Sequence, residues 1–210
     1  MKDAEFKAHF TSSRGASPWT LRERIGLLLW DLLWPLFCAW TPKPFNWWRL
    51  LWLRMFGCKI YGKPFVHQRA RIQIPWHLTL HDRCSVGDRA NLYSLAEIEL
   101  GSHCVIAQEA YLCTGTHDFD DPKKTLITAR ITIGTDAFVG ARAFVMPGIY
   151  IGDEAMVGAC SVVTKNVADR VVVAGSPARF MRLRNTPSQN QFDSCTHITV
   201  VKNLSANVRG

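Results

Sequence analysis

The 210-residue sequence predicts an all-β fold, a parallel β-helix of six-residue repeats, with an N-terminal apolar helical segment and a projecting loop. Three observations predict it. An aliphatic residue returns every sixth position. A second set, two positions ahead, alternates large and small with a superperiod of eighteen. One long break interrupts an otherwise regular spacing.

The period runs without a slip through Ile133, Val139, Val145, Ile151, Val157 and Val163, and glycine follows four of these as Gly134, Gly140, Gly152 and Gly158. Two positions ahead stand Ile131, Ala137, Ala143, Ile149, Ala155 and Ser161, which read large, small, small, twice over. Upstream, Leu100, Ile106 and Leu112 follow Ile98, Cys104 and Ala110, and Leu80, Val86 and Leu92 follow Leu78, Cys84 and Ala90. Neither a helix nor an alternating strand produces a period of six. A triangular prism does, because each unit is one short strand and one corner. The aliphatic residue points inward and stacks on its counterpart in the next coil, at a sheet spacing of about 4.8 Å. No coil buries its apolar face alone, so the four coils must form cooperatively. Small residues fit the tight corners, and the glycines are expected where a corner needs unusual φ/ψ.

Large-x-large starters occur at 78, 98, 131 and 149, separated by 20, 33 and 18 residues. The first of these coils therefore carries two extra residues. The long spacing throws residues 114–130 off the prism as a polar loop that opens Gly115-Thr116-His117-Asp118. Insertions into a solenoid are where function is added.

The first third differs in kind. Residues 1–72 hold twelve Lys/Arg against four Asp/Glu, the rest hold thirteen of each, and seven of the eight Trp lie between Trp19 and Trp52. Residues 1–20 are polar, with no signal-peptide pattern. Ile25 to Trp40 is apolar but interrupted by Asp31 and Pro35, and is shorter than the roughly 20 residues of a spanning helix. Thr41-Pro42-Lys43-Pro44 breaks the chain, and Phe45 to Phe56 forms a second Trp- and Arg-rich stretch. Two such segments predict a helical pair at the inner leaflet of a membrane. The other reading is packing on the main domain or an oligomer contact. Basic residues interleaved with long apolar runs exclude a nucleic-acid interface. The expected organisation is a leader at 1–58, the β-helix at 59–184 and a polar, flexible tail at 185–210. The seven cysteines match no zinc spacing. Cys84 and Cys104 fill small core positions, and a reducing, cytosolic compartment follows. Cys113 lies near the loop.

Residues 72–184 resemble the hexapeptide-repeat acyltransferases. The order G-T-H-D at 115–118, I-T-I-G at 131–134, V-V-T-K at 162–165 and A-G-S-P-A-R at 174–179 is most similar to the colanic acid biosynthesis acetyltransferase group, near the maltose and galactoside O-acetyltransferases. The Trp-rich leader resembles that subgroup as well. The resemblance implies a left-handed coil and a homotrimer with active sites between subunits. It implies acetyl-CoA as co-substrate and O-acetylation of a sugar hydroxyl.

His117 then reads as general base, since a sugar hydroxyl is un-ionised near neutrality and an imidazole can take its proton during attack. Asp118 would orient that ring or contact the acceptor. By resemblance the donor site comprises Phe138 (where relatives often carry Trp), Gly140, Ala141, Ala159, Thr164, Lys165, Arg179 and Arg182, with Arg184 just beyond. Backbone N–H groups near Gly140 and Ala141 would hold the oxyanion. Asn91 and Tyr93 resemble acceptor-side positions. His77, His81 and His103 read as surface residues. No metal is expected: a thioester is already activated, and the zinc-binding relatives' His-x4-His arrangement meets Pro122 here. The leader suggests a lipid-linked glycan or nascent polysaccharide as acceptor, handled by a cytoplasmic protein peripheral to the inner membrane. The alternative is a non-catalytic trimeric scaffold docked at a membrane assembly.

Overall fold

Each six-residue unit forms one short strand and one corner in the computed structural model, which describes residues 19–184 apart from 119 and 123. The tail at 185–210 and the leader's first eighteen residues lie outside the described residues. The first coil is β1 (Lys59–Ile60), β2 (Phe65–Val66) and β3 (Arg71–Ile72). The second is β4 (Leu78–Leu80), β5 (Ser85–Val86) and β6 (Asn91–Tyr93), and the third β7 (Ile98–Leu100), β8 (Val105–Ile106) and β9 (Tyr111–Cys113). A hairpin of β10 (Gly115–His117) and β11 (Leu126–Thr128) then leaves the prism. The fourth coil is β12 (Ile131–Ile133), β13 (Phe138–Val139) and β14 (Phe144–Val145), and the fifth β15 (Tyr150–Ile151), β16 (Met156–Val157) and β17 (Val162–Val163). A partial sixth coil follows, with Val167 bridged to Ile151 and β18 (Val171–Ala174) turning back as antiparallel β19 (Arg179–Leu183).

Three parallel sheets result. The first face stacks β1-β4-β7-β12-β15, the second β2-β5-β8-β13-β16-β18 with β19 at its edge, and the third β3-β6-β9-β14-β17. The sequence-level count of four coils omitted the first. Its Ile60, Val66 and Ile72 keep the period of six, but Cys58 replaces the large starter residue. The stacked columns Leu80-Leu100-Ile133-Ile151, Val86-Ile106-Val139-Val157 and Leu92-Leu112-Val145-Val163 are each at most 1% exposed. Burial of each such side chain contributes about 1.5–3 kcal/mol. Cys84 and Cys104 are buried among them.

The corners correct one expectation. Gly134, Gly140, Gly152 and Gly158 do not have positive φ. The left-handed residue of those corners lies two positions on, at Asp136 (φ 54°), Arg142 (57°), Glu154 (55°) and Cys160 (57°). The glycines are needed for room. A Cβ on Gly140 would stand 2.6 Å from the Ala159 nitrogen, and one on Gly134 2.6 Å from the Asp153 nitrogen. The next coil's backbone fills the space a side chain would take.

The leader forms α1 (Leu21–Phe37) and α2 (Asn46–Met55), with a single 3₁₀ turn at Lys43–Phe45 between them. Thr20 caps α1 in a reciprocal box with Glu23, so the helix starts ahead of the apolar stretch. One face of the pair packs on the first coil, as the second sequence reading held, burying Trp30, Trp34, Leu50 and Leu53. The buried Arg49 guanidinium donates to the carbonyls of Val66 (2.8 Å), Pro42 (3.0 Å) and Lys43 (3.1 Å) and to Thr41 Oγ1 (2.9 Å). Asn46 accepts from Val66 N and donates to Pro64 O, and the Trp30 indole donates to Ile72 O. Leader side chains thus satisfy the open rung of the prism. Among the described residues no helix is long and apolar enough to cross a membrane.

The two kinds of corner residue should respond oppositely. Gly140→Ala should cost about 1–3 kcal/mol, because the neighbouring backbone has no room to yield. Arg142→Gly should leave stability unchanged or raise it by up to about 1 kcal/mol, by releasing a left-handed side-chain residue. Denaturant midpoints at constant m-value report both, and equal losses would contradict this account of the corners.

Candidate active site

The hairpin leaves at the corner that follows the third face, and Thr114 pins its base. The buried Thr114 hydroxyl donates to Tyr93 O (2.7 Å) and accepts from Ala96 N (2.9 Å), while Ala129 N donates to Thr114 O (2.9 Å). Ser94 does the same one coil below, bonding both Ile74 N and Ile74 O. In these two coils a hydroxyl two positions beyond the core residue ties down the point where extra chain departs. Arg130 at the hairpin's exit pairs with Glu99 and Glu97. The hydrogen bond to His81 (2.9 Å), together with Arg130, holds the Glu99 carboxyl below the usual range. Sequence reasoning singled out neither Thr114 nor Arg130.

His117 ends β10, paired with Leu126, and its side chain is exposed. Its Nδ1 lies 2.8 Å from Lys124 O. A carbonyl only accepts, so Nδ1 carries the hydrogen and the neutral ring presents Nε2 as an outward lone pair. Lys124 reaches this position with φ 49°, and its N–H bonds Asp121 O (2.8 Å). The ring's partner is thus a backbone carbonyl and not Asp118. Asp118 Oδ1 accepts from Asp120 N (3.0 Å), and Asp118 N donates to Thr125 O (2.9 Å), so that residue shapes the hairpin turn. Residues 119 and 123 of this loop lie outside the described residues.

Gly115 packs closely over Leu95 and Tyr93 beneath His117. A Cβ there would come within 2.8 Å of Leu95 Cδ1 and 3.5 Å of Tyr93 Cε1. The Tyr93 ring therefore lies two residues from the candidate base. Asn91 and Tyr93 share the outer surface of the third face with Tyr111 and Phe144, which stack at 5.0 Å. A cavity of about 410 Å³ runs between this face and α1, lined by Asn91, Tyr93, Tyr111, Arg71, Trp34 and Asp31 among others. Burial raises the Tyr93 hydroxyl and pushes Tyr111 up to about 12. Cys113 is half-buried, donates to Gly115 O (3.1 Å), and has its thiol raised by burial. That environment disfavours the thiolate a nucleophile needs.

The donor-side residues fall in two groups. Leu112, Val145 and Val163 are paired in register, so Thr164 and Lys165 lie at the same corner as the hairpin, two coils on. Ala141 and Ala159 lie at the opposite corner of the third face, joined by a bond from Cys160 N to Ala141 O (2.8 Å). Phe138 lies on the second face, and Arg179 and Arg182 on its edge strand β19. A single chain separates these groups by the width of the third face. Two expectations need correction. Gly140 N–H is committed to Val157 O (2.9 Å), so it holds the ladder and cannot face an oxyanion. Among the described residues no backbone carbonyl accepts from the Ala141 N–H. Arg184 Nη1 lies 3.2 Å from both Asp136 O and Glu154 O, stapling two corners. Lys165, Arg179 and Arg182 are exposed, and among the described residues no carboxylate forms an ion pair with them. Among the described residues no group of three or more His, Cys, Asp or Glu is placed to hold a metal ion.

Comparison with known proteins agrees with this architecture. The bacterial transferase hexapeptide (six repeats) family matches residues 130–165. WcaF of Escherichia coli (strain K12), which carries a provisional name as a colanic acid biosynthesis acetyltransferase, is 41% identical over 160 residues, covering 76% of this chain and 88% of WcaF. A maltose O-acetyltransferase from Clostridium difficile 630 superposes with a TM-score of 0.69 at 22% identity, over 80% of this chain and 90% of that one. A hexapeptide-repeat acetyltransferase from Vibrio cholerae O1 biovar eltor, complexed with acetyl coenzyme A, gives 0.71 at 20% identity, over 80% and 91%.

The carbonyl at Nδ1 fixes an observable. Nitrogen-15 spectra with the His117 ring in its neutral form should show Nδ1 as the protonated, pyrrole-type nitrogen and Nε2 as pyridine-type. The reverse assignment would remove the lone pair from the open side of the ring.

Proposed function

The chain belongs to the hexapeptide-repeat acetyltransferases and is an acetyl-CoA-dependent acetyltransferase of sugar or polysaccharide biosynthesis, and from that premise we propose direct transfer to a sugar hydroxyl with His117 as general base. The observation that carries this is the Nδ1–H bond to Lys124 O, which leaves Nε2 open. Nε2 removes the acceptor proton as its oxygen attacks the thioester carbonyl. The new C–O bond gives a tetrahedral oxyanion, for which the Ala141 N–H is the free backbone donor. Collapse breaks the C–S bond, and the imidazolium returns its proton to the departing sulfur. The products are an O-acetyl sugar and coenzyme A, with no covalent enzyme intermediate. Most of the remaining acceleration comes from holding donor and acceptor together.

Lys165, Arg179 and Arg182 suit the diphosphate and 3′-phosphate of coenzyme A, being exposed cations without carboxylate partners among the described residues. Phe138, Ala141, Ala159 and Thr164 flank the pantetheine in this reading. Asn91, Tyr93 and the carboxylate of Asp118 face the acceptor. Because one chain keeps its hairpin and its Ala141–Ala159 corner apart, the site is completed by a neighbour in a homotrimer. The acceptor is a polysaccharide precursor, nascent or lipid-linked, met by a cytoplasmic protein peripheral to the inner membrane.

His117→Ala should lower kcat by about 10²–10⁴ with the oligomer and acetyl-CoA binding retained, measured by thiol release with sugar acceptors. Unchanged turnover would remove His117 from the mechanism, whereas Cys113→Ser should retain turnover. Lys165→Ala and Arg182→Ala should raise KM for acetyl-CoA with little change in kcat, the pattern of lost ground-state binding.

A further inference from the structure

The leader has two apolar faces, and only one is used by the fold. Along α1 the residues turned away from the prism are Leu21, Ile25, Leu28, Leu32 and Leu36, between 49% and 71% exposed. Their steps of three and four residues make one continuous stripe along the helix. On α2 the outward residues are Trp47, Leu51 and Met55, between 42% and 66% exposed. Between the two stripes is a cleft of about 290 Å³ lined by Phe37, Trp40, Thr41, Phe45, Trp47 and Trp48. The Trp40 and Trp48 indole N–H groups are turned onto Leu36 O (2.7 Å) and Phe37 O (3.0 Å), so the cleft presents almost only carbon. Exposed apolar side chains joined in this way into one stripe and cleft mark a contact surface rather than scattered surface residues.

The charges around it are one-sided. Arg22 and Arg24 in the first turn of α1, Lys43 in the connecting turn and Arg54 in the last turn of α2 are exposed. Only Glu23, engaged with Thr20, and Asp31 oppose them on these elements. Exposed indoles beside Arg and Lys, at the margin of an aliphatic stripe too short to span, match the chemistry of an anionic bilayer surface. The excess of one sign selects an anionic partner, and of such partners a bilayer surface also takes up the indoles and the aliphatic stripe. We propose that the outward face of α1 and α2 is a docking surface for anionic phospholipid, with the aromatic cleft taking the upper part of an acyl chain. This names the surface behind the peripheral placement proposed above, and it rests on none of the chemistry at His117. Docked in this way, the first coil lies nearest the lipid. The cavity between α1 and the third face then opens beside the bilayer, where the sugar of a lipid-linked acceptor is held.

The test uses the full chain, because removing the leader would strip Arg49, Leu50 and Leu53 from the prism. Vesicles of phosphatidylcholine alone and of phosphatidylcholine with phosphatidylglycerol are floated with the protein at low and high salt, and tryptophan emission is followed in parallel. The wild type should bind the phosphatidylglycerol vesicles more tightly, release them at high salt and shift its emission to the blue. Leu28→Glu/Leu32→Glu should weaken binding by roughly tenfold or more, and Arg22→Ser/Arg24→Ser should flatten the salt dependence. The exposed Trp40→Ala serves where the double Glu variant fails to fold. Absence of wild-type binding, equal binding by the variants, or a variant that changes oligomeric mass without changing vesicle binding would each overturn the proposal. Thiol release from acetyl-CoA, measured on the same samples, reports the catalytic reading separately.

Discussion

The constraint on which the molecule turns is the backbone ladder between successive coils. Parallel strands stack at about 4.8 Å, so every coil must trace the same triangular perimeter as the one beneath it. That requirement puts aliphatic columns inside, denies a Cβ to Gly134 and Gly140, and drives Asp136, Arg142, Glu154 and Cys160 into the left-handed region. It also decides where chemistry can be added. Extra chain has nowhere to go within the perimeter, so it leaves as the hairpin after β9, and His117 stands off the stack on two short strands.

Much of this was legible because the ladder writes itself into the sequence as a period. The core columns, the break after Leu112 and the base candidate could be read from spacing. The first coil was missed because a small residue, Cys58, stands where later coils begin with a large one. The role of the glycines was misjudged because steric room and conformational freedom select the same residue. Position in sequence does not separate them, whereas the neighbour's backbone does. The partner of His117 was hidden for a different reason. It is the carbonyl of Lys124, and any residue can supply a carbonyl. The Gly140 N–H is used on a rung the motif does not reveal, and Arg184, expected beside the donor-site cations, bonds two corner carbonyls instead.

The leader carries two apolar faces, and the prism buries one of them. Its inward face supplies Trp30, Leu50 and Leu53 to the core, and Arg49 carries a buried charge held by three carbonyls, the Thr41 hydroxyl and the face of the Phe65 ring. Burial lowers the guanidinium below its ordinary value, yet the intrinsic basicity of arginine keeps it charged. The sequence offered membrane contact and domain packing as rivals. An amphipathic helix with two apolar stripes has no need to choose between them.

A stack of parallel rungs has no intrinsic stop. Its first coil presents a row of unspent donors and acceptors that another copy could continue, the route by which sheet edges seed fibres. Here Asn46 occupies the Val66 amide and the Pro64 carbonyl, Arg49 the Val66 carbonyl, and Trp30 the Ile72 carbonyl. Polymerisation through that end is blocked by three side chains of the leader. The segment that buries one apolar face on the first coil is therefore also the seal at that end of the solenoid.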